Sequence, residues 1–158
     1  AGHVTGLQGI AWDITEQHRM EAALRASEAR FRSFMDHAPA PAWLKDTEHR
    51  LRFLNAAFEK LFQNTAGDLL GMSDHELLPA AVADAVQAND RAVRAANRAQ
   101  ELLEHVPGAD GRMRHWLVVK FPFDGPAGES WVGGIAFDAT ERVQAQAALW
   151  PFTLLVPN

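Results

Sequence analysis

The chain has 158 residues, 47% hydrophobic and 22% charged, with a net charge of −5, which suits an ordinary globular domain long enough to bury one core. It contains no cysteine, so disulfides, thiolate nucleophiles, iron–sulfur clusters and cysteine-ligated zinc are excluded. Mild acidity without a Lys/Arg block argues against a nucleic-acid partner, and no apolar run approaches the roughly 20 residues of a membrane span. No signal peptide is visible, so the chain reads as cytoplasmic, without direct membrane insertion, although a parent protein can be membrane-anchored elsewhere.

The two ends of the chain repeat one another. Gly9–Leu24 reads GIAWDITEQHRMEAAL and Gly134–Leu149 reads GIAFDATERVQAQAAL, identical at nine of sixteen positions. Each copy reads as the end of a buried strand followed by a helix start. Thr15 and Thr140 suit the N-cap, and Glu16 and Glu141 place negative charge near the positive helix end. Residues 4–14 are therefore expected to be a strand left over from a preceding unit, with a helix from Thr15 to about Asp36, before Pro39 and Pro41. On that helix Met20, Leu24, Phe31 and Phe34 fall at heptad a and d positions, with Gln17 and Ser27 in the remaining two. The pattern fits either a dimer seam or an amphipathic helix lying on its own domain.

Residues 41–55 predict a hairpin, PAWLKD and LRFLN around DTEHR, and Asn55 then reads as the N-cap of the helix AAFEKLF. Ser73 or Asp74 can cap a turn holding Leu77 and Leu78, which explains Ser73-Asp74-His75 better than a catalytic triad does. From Pro79 to about Ala99 a longer helix carries Val82, Val86, Asn89, Val93 and Ala96 on one stripe, with Asp90 near its edge. Gln100–Val106 suits an edge strand. Arg112–Phe123 alternates, with Met113, His115, Leu117, Val119, Phe121 and Phe123 on one face and Arg114, Trp116, Val118, Lys120 and Pro122 on the other. Trp131–Phe137 is apolar on both faces, as a central strand covered from both sides should be. This order gives an α+β domain with a five-stranded antiparallel sheet. The tail from Trp150 to Asn158 fits no repeat and receives no role.

Taken together, KDTEHRLRFLNAAFEKLF, GMSDHELLP, DGRMRHWLVVKFPF and GGIAFDATER make the chain, over roughly residues 28–142, resemble a PAS domain. The closing Asp138-Ala139-Thr140-Glu141-Arg142 is similar to that family's Asp-Ile-Thr-Glu-Arg junction, with Ala139 in place of Ile. The resemblance implies a sheet of order 2-1-5-4-3 with helices on one face and an N-terminal amphipathic helix. Residues 1–14 would be the last strand of a preceding PAS repeat, 15–36 a connecting or dimerisation helix, 37–140 the PAS domain, and 141–158 the start of an output helix and the tail. It further implies a sensory module of a larger signalling protein, a histidine kinase or a cyclic-di-GMP cyclase or phosphodiesterase, working as a homodimer with a covalently linked output domain.

The expected ligand site between sheet and helices draws on Phe62, Val86, Asn89, Val93, His115 and Leu117. Asn89 suits either a polar ligand or a backbone partner, and His115 either a ligand or a satisfied core position. Asp138 and Thr140, with Asp13 and Thr15 in the upstream copy, are the expected signal relay. Met20, Leu24, Phe31, Phe34 and an exposed Trp116 are the expected dimer interface. No cofactor is named. Covalent flavin and c-type haem need the missing cysteine, b-type haem is disfavoured because residues 79–99 hold no His, and non-covalent flavin stays open. No metal site or catalytic motif is recognised, so the chain is expected not to be an enzyme. A ligand-free dimerisation module and a haem or flavin redox or gas sensor are the alternative readings.

Overall fold

A computed structural model describes the backbone of residues 5–149 and the side chains of residues 13–149. It divides into two units, residues 1–37 and the remainder from Ala38. In the first, one helix, α1, runs from Thr5 to His37 over 33 residues. The strand expected over residues 4–14 is therefore replaced by helix where the backbone is described. The helix pairs its backbone N–H and C=O groups within the segment itself. Met20, Leu24, Phe31 and Phe34 are all at least half exposed on this helix, Phe34 most of all at 76%. The tail at 150–158 lies outside the described residues.

In the second unit, β1 (Ala42–Lys45) and β2 (Leu51–Leu54) form the expected hairpin. Asn55 is fully buried and caps α2 (Ala56–Phe62): its Oδ1 accepts from Phe58 N–H at 3.1 Å and from Ala42 N–H at 2.9 Å. Two single turns follow, α3 (Ala66–Leu69) and α4 (Asp74–Leu77). Ser73 is the N-cap of α4, and the Glu76 carboxylate accepts from both its N–H and its hydroxyl. Helix α5 (Ala80–Ala96) starts after Pro79 and ends at Asn97, whose φ of 48° is left-handed. Strands β3 (Gln100–Pro107), β4 (Met113–Asp124) and β5 (Ser130–Asp138) complete the unit before α6 (Thr140–Leu149).

The sheet is antiparallel with order β2-β1-β5-β4-β3, which puts β5 at the centre and β3 at an edge. Its inner face meets α2, α4 and α5, and there Trp43, Leu51, Leu54, Phe58, Trp116, Val118 and Ala136 form the core. Gly134 lies opposite Trp43 in the β1–β5 pairing, and a Cβ there would overlap the indole, so glycine is what lets the ring lie flat on β5. Phe58 packs on Trp43 with ring centroids 5.6 Å apart and on Phe62 at 4.7 Å.

Two assignments of face are reversed. The inner side of β4 carries Trp116, Val118 and Lys120, all buried, while the more apolar row from Met113 to Phe123 lies outside. Trp116, expected to be exposed, is only 7% so. On α5 the buried stripe is Ala83, Val86, Asp90 and Val93 rather than the one through Asn89. Nor is β5 covered on both sides: Val132, Gly134 and Ala136 face the core, but Phe137 on the outer face is 50% exposed.

Candidate functional site

What turned β4 and α5 around is a buried set of charges. Lys45 of β1 places Nζ 2.5 Å from Asp74 Oδ1 and 3.2 Å from Asp90 Oδ2. Lys120 of β4 places its own Nζ 2.6 Å from Asp90 Oδ1 and 2.6 Å from Glu104 Oε1. Asn89 Nδ2 donates to the same Glu104 oxygen at 2.8 Å. All five charged groups are nearly or fully buried, and each faces an opposite charge, the condition under which ionised side chains tolerate an interior. Burial opposes ionisation of Asp90, yet the hydrogen bond from His49 and the charges of Lys45 and Lys120 outweigh it and hold the carboxyl well below the ordinary range. Burial likewise works against the charged Lys45, but Asp90 and Asp74 overcome it and raise its pKa.

His49 closes the rim of this set from the β1–β2 turn, with Nδ1 3.4 Å from Asp90 Oδ2. Arg94 Nη2 lies over the same ring, 3.0 Å from His49 Nε2 and 3.4 Å from Nδ1. His49, Asp74 and Asp90 are close enough to suggest a metal centre, their ligand atoms lying within 4.8 Å of one another. The Lys45 ammonium, however, already bridges the two carboxylates, and a divalent ion would have to displace it. The donor set fits a structural ion network rather than a metal.

Beside the network lies a cavity of about 60 Å³ whose walls include Trp43, Phe58, Phe62, Val86 and Trp116, with Lys45, Asp74 and Glu104 supplying its polar side. Two buried atoms on cavity-lining side chains, Trp43 Nε1 and Asp74 Oδ2, have no hydrogen-bond partner among the described residues. A buried indole N–H and a buried carboxylate oxygen are costly to leave alone, so a donor and an acceptor are both on offer here.

Of the six expected ligand residues, Phe62 and Val86 line the cavity. Val93 is fully buried but is not part of its wall, and Asn89 reaches it only through Glu104. His115 and Leu117 lie on the opposite face of β4 and cannot line it. Trp43, Lys45, Asp74, Glu104 and Trp116 were missed. Their signal was present but faint: in strands, the charges Lys45, Glu104 and Lys120 sit two positions from apolar residues on the same face, and Asp90 completes the set from α5.

At the far side of β4 the strand-to-helix junction is built as a lock. Ala139 N–H donates to His115 O at 2.8 Å, and His115 N–H donates to Thr140 Oγ1 at 3.0 Å. Asp138 Oδ1 accepts from Thr140 N–H at 2.9 Å, and Arg114 Nη1 lies 3.6 Å from Asp138 Oδ2. Partial burial works to raise the Asp138 carboxyl, but Thr140 and Arg114 prevail and hold it below the usual range. The His115 ring packs edge-on against His105 at 4.6 Å. Asp13 and Thr15, by contrast, lie inside α1, so the upstream copy of the motif forms no strand-to-helix junction.

No helix among the described residues is long and apolar enough to cross a membrane. The chain is 30% identical over 125 residues to uncharacterized protein y4lL of Sinorhizobium fredii, an alignment covering 77% of this chain and 15% of that protein. It is 36% identical over 69 residues to the sensor histidine kinase TmoS of Ectopseudomonas mendocina, covering 42% of this chain and 7% of that one. The chain thus spans a small part of these relatives. Among solved structures, the PAS domain of an HTR-like protein from Haloarcula marismortui superposes with a TM-score of 0.63 at 19% identity, over 77% of this chain and 98% of that one. VqmA bound to DPO gives 0.61 at 25% identity, over 70% and 56%. The model of the PAS fold matches residues 35–144, most of the chain and the whole sheet. With the 2-1-5-4-3 sheet, the cavity under its helices and the Asp-x-Thr junction already in place, this chain belongs to the PAS-fold family of sensory signal-transduction domains.

Proposed function

We propose that this domain senses a small molecule held in the cavity beneath β1, β4 and α5 and passes the signal through Asp138 and Thr140 into α6. The observation that carries the reading is the unpartnered pair on the cavity wall, Trp43 Nε1 and Asp74 Oδ2. Strand β4 supports a route outward, because Trp116 and Val118 line the cavity while the adjacent His115 backbone holds the junction. A ligand changes output only through different affinities for two arrangements of that junction. The solved complex of VqmA with DPO is a ligand-bound relative of the same fold, in keeping with this use. The output domain would be covalently attached and of the histidine-kinase type, as in TmoS. The buried charges are assigned to structure and recognition, not to catalysis. No nucleic-acid role and no haem or flavin is assigned either, and an absorption spectrum of fresh protein checks the cofactors.

Native mass spectrometry of freshly purified protein tests the reading. The wild type should carry a small molecule that Val86→Phe, which fills the cavity, lacks. A wild type bare of ligand, or equal occupancy in both, would contradict it.

A second reading, dimerisation through α1, is favoured by the exposed row Met20, Leu24, Phe31 and Phe34 at heptad spacing. The double variant Leu24→Glu with Phe31→Glu should be monomeric in light scattering if the wild type is a dimer. An unchanged dimer removes α1 from the interface.

A further inference from the structure

We infer that the cavity selects a small flat molecule that offers one N–H or O–H donor and one acceptor and carries no negative charge. The inference rests on the reading of the cavity as a sensory site and names the chemistry of its occupant. Trp43 Nε1–H can only donate, so the ligand atom facing it must accept. Asp74 uses Oδ1 for Lys45 and leaves Oδ2 without a partner, and as the carboxylate of an ion pair it can only accept, so the ligand must also donate. The walls are aromatic and aliphatic, with Trp43, Phe58, Phe62 and Trp116 among them, a lining that suits a planar apolar body.

Charge sets the remaining condition. Three carboxylates, Asp74, Asp90 and Glu104, meet two ammonium groups, Lys45 and Lys120. These five groups therefore carry one more negative charge than positive. Lys120 is committed to Asp90 and Glu104, with the Val86 carbonyl at 3.4 Å, and Lys45 is committed to Asp74 and Asp90. An anionic ligand would lose its hydration and face the oxygen of Asp74, which repels it. 2-Pyridone, a compact cyclic amide, carries one N–H and one C=O on a flat uncharged ring and so has the required groups.

The test uses three probes of similar size on the intact chain, 2-pyridone, N-methyl-2-pyridone and benzoate, followed by the indole N–H resonance that Trp43→Phe removes. 2-Pyridone should move that resonance and bind at least about tenfold more tightly than either of the others, a factor that corresponds to ~1.4 kcal/mol. Asp74→Asn keeps an oxygen for Lys45 and turns the free atom into a donor, so it should shrink the preference for 2-pyridone over its N-methyl analogue to near one. Trp43→Phe keeps the ring and loses the N–H, and should weaken 2-pyridone several-fold; if Asp74→Asn fails to fold, this variant carries the comparison. Equal binding of N-methyl-2-pyridone or benzoate to the wild type overturns the assigned chemistry while leaving a ligand-binding cavity in place. Silence of the Trp43 resonance to all three also overturns it, and means that water serves both buried atoms. The broader sensory reading then stands or falls separately, on whether a molecule co-purifies.

Discussion

The two faces of β4 invert the usual relation between polarity and burial. Its inner face holds Trp116, Val118 and the fully buried Lys120, whereas its outer row holds five apolar residues and His115, of which Met113 and Phe123 are substantially exposed. The same exposure extends to Leu103 on β3 and Phe137 on β5. Inside, a charged side chain persists because Asp90 and Glu104 meet it at 2.6 Å each, and the cost of burial is offset only while every partner stays. Outside, the apolar side chains contribute area but no obligation. The difference between the faces is therefore one of dependence. Removal of one inner charge strands its partners, and removal of an outer apolar side chain strands nothing.

Substitutions should separate the faces by size of effect. Asp90→Ala leaves Lys45 and Lys120 short of a partner and should cost about 3–5 kcal/mol in urea unfolding, the range for breaking a buried pair. Trp116→Ala, on the same face but apolar, should cost a similar ~3–5 kcal/mol, through a cavity rather than through charge. The two are told apart by acid. Asp90 has a depressed folded pKa, so the stability it contributes is fully present above its unfolded value of roughly 3.9 and is lost as pH falls below that. Wild type and Trp116→Ala should accordingly lose stability steeply below about pH 4, while Asp90→Ala should show a flatter profile there.

Smaller effects belong to the junction and the outer face. Asp138→Ala with Thr140→Ala removes the hydrogen bonds that set the start of α6 and should cost roughly 1 kcal/mol, the scale of a helix cap, while uncoupling signal from output in the parent protein. Unchanged signalling in that double variant would take the relay away from this junction. Phe137→Ser on the outer face should change stability by about 0.5 kcal/mol or less, because half of the side chain is already in water. A loss as large as that of Trp116→Ala would mean that the outer face is covered in solution.

The fold was legible because its local signals agree with its long-range ones. Asn55 capped the helix it was expected to cap, the hairpin and the edge strand followed from turns and alternation, and the sheet order is the one the PAS resemblance implied. The site was less legible because its decisive residues are charges, which a pattern of burial assigns to water. Lys120 made the inner face of β4 look solvated, Asp90 sat one position off the apolar stripe of α5, and Asp74 passed for a cap until Lys45 reached it from β1. Pairings of that kind join residues such as Lys45 and Asp90, 45 positions apart, and no local window holds both. The repeated sixteen residues make the same point from the other side. Gly134–Leu149 turns from strand to helix because β4 pairs with its strand half and His115 holds Thr140, while the same motif at Gly9–Leu24 is helix throughout.

The central claim is that one strand joins the cavity to the junction, through Trp116 inside and His115 at the exit. It is tested most directly by amide hydrogen exchange at His115 and Ala139, whose N–H groups donate to Thr140 Oγ1 and His115 O, with 2-pyridone present and absent. Filling the cavity should change protection at both amides in the wild type and at neither in Val86→Phe. Binding that alters exchange around Trp43 and Asp74 while His115 and Ala139 stay unchanged would contradict it.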